Sequence, residues 1–101
     1  MLRQGDICWA EAEDKRRPVV VVTRTEAIPV LDRILVAPVT RTIRSIRTEI
    51  PLDSEQGLGG PCVASFDNLQ TVRKTFLSPP IGSVPNSRRS ICTALAAMSD
   101  C

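Results

Sequence analysis

The chain has 101 residues, 43% of them hydrophobic but only 3% aromatic, and its 13 Lys and Arg against 11 Asp and Glu leave a net charge of +2. Such a length is expected to form one domain, 1–101, whose core must come from Val, Ile, Leu and Ala; that favours a compact β-rich barrel or sandwich. With no histidine, the usual acid and base near neutral pH, the Ser/His and Cys/His nucleophile pairs and the commonest metal ligand are all excluded, and +2 is too small to announce a nucleic-acid binder by itself.

In chain order, Gly5-Asp6 followed by Ile7 to Ala10 predicts a first strand with Ile7 and Trp9 on one face, and the charged stretch from Glu11 to Lys15 predicts a short hairpin connection. Val19 to Val22 cannot alternate polar with apolar, so they predict a strand buried on both faces and central to a sheet. Pro18 has no amide hydrogen and disfavours helix in the residue before it, which holds Lys15, Arg16 and Arg17 extended at the strand's entrance. A polar loop with room for one helical turn is expected over 23–29, then a mostly apolar strand over 33–39 that ends at Thr40-Arg41.

Thr48 to Leu52 alternates as a short strand that Pro51 places at an edge, and 53–61, with three glycines and no periodicity, reads as a loop. Cys62 to Phe66 and Leu69 to Val72 are strand pieces broken at Asp67-Asn68 by a bulge or tight turn. Ser78-Pro79-Pro80 stops regular structure, and 81–84 offers one brief further pairing. From Asn86 as N-cap, Ile91, Leu95 and Met98 recur at helical spacing, so one amphipathic helix closes the chain. No internal repeat is present.

Cys8, Cys62, Cys92 and Cys101 are far apart, with neither a C-x-x-C pair nor zinc-like clustering. Each is expected to be a small buried or incidental thiol, with Cys101 exposed. No apolar signal segment opens the chain and no run approaches a membrane span, so the expectation is a cytoplasmic protein with reduced thiols and no membrane contact.

Several pieces in one order resemble the MazF/PemK family of toxin endoribonucleases. They are Gly5-Asp6-Ile7 with Trp9, Arg16-Arg17-Pro18 before the four valines, and Val36-Ala37-Pro38-Val39-Thr40; then Pro61-Cys62-Val63, Asp67 to Val72, Lys74, Leu77 and Ile81-Gly82. No single piece is specific; the ordered set spans nearly the whole chain. The resemblance implies an SH3-like, partly open β-barrel with a C-terminal helix, acting as a homodimer that cuts single-stranded RNA without metal or other cofactor. It also implies a paired, acidic MazE-like antitoxin whose disordered tail fills the RNA groove. Carried over by position, the catalytic arginine falls on Arg17 and the catalytic threonine on Thr40. Three departures stand out: the connection before Lys15 is short where relatives often carry a gating loop, Cys62 replaces a common serine, and Cys8 takes one of two frequently aromatic positions while Trp9 keeps the other.

The chemistry is consistent with a chain without histidine, because the ribose 2′-hydroxyl lies beside the phosphate it attacks and the protein has only to hold that geometry and stabilise the added charge. Arg17 suits the second task, and Thr40 adds a neutral donor. Neither is a base; Asp67 and Glu49 are weak candidates for taking the 2′-proton. The bland readings are a surface ion pair for Arg17 and a turn hydroxyl for Thr40. Lys15 and Arg16 read as cations that steer RNA or antitoxin. Arg41, Arg44 and Arg47 follow the RNA backbone or form a solvated charged loop. Gln70, Thr71 and Lys74 match a segment that faces substrate in the family, and Asn68 offers an amide to base edges. Phe66 and Phe76 read as core, and Arg88 and Arg89 as the solvent side of the last helix. Two alternatives remain at this point: a non-catalytic CcdB-like toxin that binds DNA gyrase through its C-terminal helix, and a degenerate member that keeps only RNA or antitoxin binding.

Overall fold

In the computed structural model, residues 2–12 and 15–99 are described; the expected connection through Glu13 and Asp14, and Cys101, lie outside them. Seven strands form a mainly β, curled sheet: β1 (Asp6–Ala12), β2 (Lys15–Val21), β3 (Arg33–Thr40), β4 (Glu49–Leu52), β5 (Cys62–Ser65), β6 (Gln70–Arg73) and β7 (Gly82–Ser83), followed by one helix, α1 (Ser87–Ser99). The order is β4-β5-β3-β2-β1-β7, with β6 also paired to β3. Short 3-10 turns fill the connections at Thr25–Val30, Ser54–Gln56, Phe66–Asn68 and Lys74–Phe76.

Alternation along β2 explains why its valines are unbroken. Val20 and Val22 enter one apolar cluster with Ile7, Ala37, Val39, Phe66 and Ile91, while Val19 and Val21 enter another with Cys8, Ala10, Ile28, Ile34 and Val36. A strand covered on both faces needs apolar side chains at every position. β4 takes the sheet edge, where Pro51 costs no ladder bond. The loop over 53–61 is held by a capping box at Asp53 and Gln56 and presses onto β7 so tightly that a Cβ on Gly82 would lie 2.1 Å from the Gln56 carbonyl oxygen.

Two expected core residues lie elsewhere. Phe76 is 50% exposed because Lys74–Phe76 turns out of the sheet, and Met98 is 41% exposed because Ala94 and Ile91 already fill the contact beneath α1. Phe66 is fully buried as expected, and it begins a 3-10 turn where the sequence breaks between β5 and β6.

Candidate active site

The site forms where two ladders part. β2 and β3 pair only from Val19↔Pro38 to Val21↔Val36. Pro18 and Pro38 bring no N–H to the adjoining rungs, so the ladder ends there. Beyond it, Lys15 to Pro18 are held by β1 alone, and Val39 and Thr40 are held by β5 on the other edge of β3. Extending the Val19↔Pro38 register outward sets Arg17 opposite Thr40 across this opening.

Two clefts meet there. One, of about 310 Å³, is lined by Trp9, Arg16, Arg17, Thr40, Arg41 and Cys62 together with Gly57 to Gly60; the other, of about 400 Å³, is lined by Arg17, Thr40, Arg41, Arg44, Asn68 and Glu49 among others. Arg17, Val39, Thr40 and Arg41 border both.

Arg17 is exposed and in no ion pair among the described residues, where Arg16–Glu11 at 3.9 Å is the only one. Thr40 Oγ1 accepts from the Thr42 amide at 3.2 Å, which leaves its hydroxyl hydrogen to donate into the cleft. Arg16 stacks 5.0 Å above the Trp9 ring; with its carboxylate partner exposed, that stacking fixes it more than the ion pair does. Arg41 lies against the glycine loop, since a Cβ on Gly59 would sit 3.2 Å from its Nη2.

Cys62 lines the first cleft as a buried thiol held toward its neutral form. Burial raises its thiol pKa; nearby Arg41 partly opposes this and Asp53 adds to it, and Sγ donates to the Leu52 carbonyl at 3.7 Å. Cys8, also buried, is pushed up to about 11 by desolvation first and by Asp6 second.

The loop after Thr40 is anchored by Glu49, whose Oε1 accepts from the Arg44 and Ser45 amides at 3.0 Å each, with Ser45 in the left-handed region at φ 56°. Among the described residues, Glu49 is the only carboxylate lining either cleft. Sequence reading considered it as a base and missed this anchoring. Glu49→Ala is expected to loosen the loop by roughly 2 kcal/mol, the scale of a hydrogen bond to a charged group, and to slow catalysis about tenfold. Glu49→Gln, whose amide oxygen still accepts, should stay within about threefold of wild type. Cleavage rates of the two variants measure this, and an equal loss in both would make the charge itself the active feature.

The remaining candidates divide by position. Asn68 borders the second cleft and donates to the buried Ser65 hydroxyl at 3.0 Å. Asp67 accepts from Thr48 at 2.7 Å. Lys15 is exposed at the start of β2, outside both clefts. Gln70 and Thr71 are exposed on β6, where Gln70 pairs with Val36. Val36 stands four residues before Thr40, roughly 13 Å along the strand. Lys74 is further off, its Nζ donating to the Ile28 carbonyl at 2.8 Å and the Pro29 carbonyl at 3.5 Å. Leu58 and the glycines of 57–60, read only as loop from sequence, form a wall of the first cleft.

The family model for the "PemK-like, MazF-like toxin of type II toxin-antitoxin system" matches residues 3–98. The chain belongs to that family. Among relatives of this MazF-like toxin, the probable endoribonuclease MazF5 of Mycobacterium tuberculosis is 40% identical over 101 residues, covering 97% of this chain and 93% of its own. The solved M. tuberculosis toxin MazF-mt6 superposes with a TM-score of 0.81 at 37% identity, covering 90% of this chain and 92% of its own. A mycobacterial endoribonuclease solved with its cognate antitoxin shares the fold at 23% identity, with a TM-score of 0.82 over 100% of this chain and 98% of its own. The partly open barrel with a C-terminal helix is therefore the family's fold. Among the described residues, no helix of this MazF-like toxin is long and apolar enough to cross a membrane.

Proposed function

We propose that this chain is a toxin endoribonuclease that cuts single-stranded RNA sequence-selectively by attack of a ribose 2′-hydroxyl on the adjacent phosphate, and so blocks translation and growth in the cytoplasm. The observation that carries the reading is the placing of a guanidinium with no ion pair among the described residues, Arg17, opposite a hydroxyl donor, Thr40, at the junction of two clefts. In the reaction the 2′-O–P bond forms and the P–O5′ bond breaks; the 2′-hydroxyl gives up its proton and the departing 5′-oxygen gains one. The products are a cyclic phosphate and a 5′-hydroxyl. Arg17 stabilises the charge that builds on the non-bridging oxygens, and Thr40 adds a neutral hydrogen bond. Arg16, Arg41, Arg44 and Asn68 border the same clefts and contact the flanking nucleotides.

Exposed cations with a single ion pair among the described residues also suit an acidic MazE-like antitoxin. A homodimer fits the exposed apolar side chains Val30, Leu31 and Phe76, which lie on two turns tied together by the Lys74–Ile28 bond. The gyrase-binding alternative uses neither Arg17 nor Thr40, and family membership disfavours it.

The decisive test is an RNA with a 2′-deoxy sugar at the cleavage position. It is expected to resist cutting by at least about 10³-fold, the loss of an intramolecular nucleophile, while chelators leave the rate on ordinary RNA unchanged. Cutting of the deoxy strand, or loss of activity with EDTA, would overturn the mechanism.

A further inference from the structure

We propose that Arg3, Arg24 and Arg88 form a second phosphate site, which holds the backbone of the same RNA chain away from the point of cleavage. The proposal rests on the endoribonuclease reading but is carried by a different part of the molecule. A cavity of about 720 Å³, larger than either cleft, is lined by these three arginines together with Thr25, Ser87 and Glu26, and by Cys92. Among the described residues, none of the three arginines is in an ion pair and Glu26 is the only carboxylate in the lining. Three exposed arginines around one cavity face two carboxylates, Glu26 in the lining and Asp6, which accepts from the Arg3 amide at 2.8 Å, so they keep a net positive charge that an anion can neutralise, and the guanidinium fork matches phosphate oxygens.

The fold holds the three segments that carry them together. Arg3 precedes β1, Arg24 follows β2 and Arg88 stands in the first turn of α1. The Gln4 amide donates to Thr25 Oγ1 at 3.0 Å and its side-chain Nε2 to the Val22 carbonyl at 2.9 Å, which locks the first two segments together. Gly5, at φ +90°, admits the third: a Cβ there would lie 2.1 Å from Ser87 Oγ, so any other residue would push α1 away from Arg3.

Position selects RNA as the source of the phosphate. Arg17 stands at one end of the β1–β2 hairpin and Arg3 and Arg24 at the other, separated by a strand length of roughly 20 Å. A few nucleotides seated on Arg17 stop short of this cavity, whereas a longer strand offers it one phosphate per nucleotide.

The test uses labelled 2′-O-methyl RNA, which cannot supply the attacking hydroxyl, so binding is read without cleavage. Oligonucleotides of about 4 and about 20 nucleotides are titrated by anisotropy across a salt series against wild type and the Arg3→Ala/Arg24→Ala/Arg88→Ala variant; the variant should bind the long strand at least about tenfold more weakly, with a salt slope lower by about 2. The short strand should bind both proteins alike. As a second readout on wild type, alkylation of the exposed Cys92, followed by peptide mass, should be slowed several-fold by the long strand and not by the short one. That measurement decides the matter if the triple variant fails to fold. Unchanged long-strand affinity and slope would overturn the proposal, as would protection of Cys92 by inorganic phosphate or poly-glutamate but not by the long RNA. If wild type bound the long RNA as expected yet cut no ordinary RNA, the endoribonuclease reading would fail while this site stood.

Discussion

Arg17→Ala is expected to lower kcat by about 10³-fold, close to 4 kcal/mol of transition-state stabilisation, while KM for RNA rises less than about threefold. The asymmetry follows from where the charge develops. Arg16, Arg41 and Arg44 also border the clefts, where the proposed mechanism has them bind substrate in its ground state, but Arg17 is the cation opposite Thr40 at their junction. Arg17→Lys keeps the charge and loses the planar fork, so it should recover less than about a tenth of the wild-type rate. Because Arg17 is exposed and supports no internal ion pair among the described residues, both variants should unfold at the wild-type temperature. Single-turnover cleavage of a labelled RNA beside a thermal melt separates the two effects. Equal cleavage by wild type and Arg17→Ala would remove the residue from the mechanism.

Phe66→Ala is expected to cost about 3–5 kcal/mol, a large share of the 5–15 kcal/mol that holds a typical domain together. Phe66 is fully buried, the largest such side chain among the described residues, and its cluster joins β1, β2, β3, β4, β5 and α1. A midpoint fall of roughly 15–30 °C follows for a chain of this size. Phe76→Ala is the matched control: half exposed on a turn, it should cost no more than about 1 kcal/mol. Calorimetry on the pair at concentrations where the chain is monomeric measures the difference, and similar losses there would overturn the placing of Phe76 outside the core.

Much of this was legible in the sequence because its signals are local. Four valines after a proline dictate a covered central strand, and Pro51 dictates an edge. The short 3-10 turns at Ser54–Gln56 and Lys74–Phe76 were not legible, since a three-residue turn leaves no periodicity to count. For the same reason the sequence around Phe76 shows only an aromatic residue, a core type, and not the turn that exposes it. At the site, a basic residue ahead of a strand and a threonine at a strand end could be read as candidates, but their apposition depends on the register at which β2 meets β3, a long-range property. The role of Glu49 depends on a loop whose shape is set by two amides, and the convergence of Arg3, Arg24 and Arg88 on segments far apart in the chain. Neither has a spacing signature.

The way β3 changes partners has a consequence for when the protein becomes dangerous. Thr40 is paired to Val63 on β5, and Asn68 reaches the second cleft through the turn that follows β5. A chain leaving the ribosome has Arg17 already beside its β1 partner, whereas Thr40 emerges long before β5, the strand that steadies it, exists. Non-local pairing of this kind delays assembly until most of the sequence has been made. If Arg17 and Thr40 cut as proposed, the growing chain carries them in a harmless order, and a nuclease still tethered to the messenger that encodes it is not expected to form.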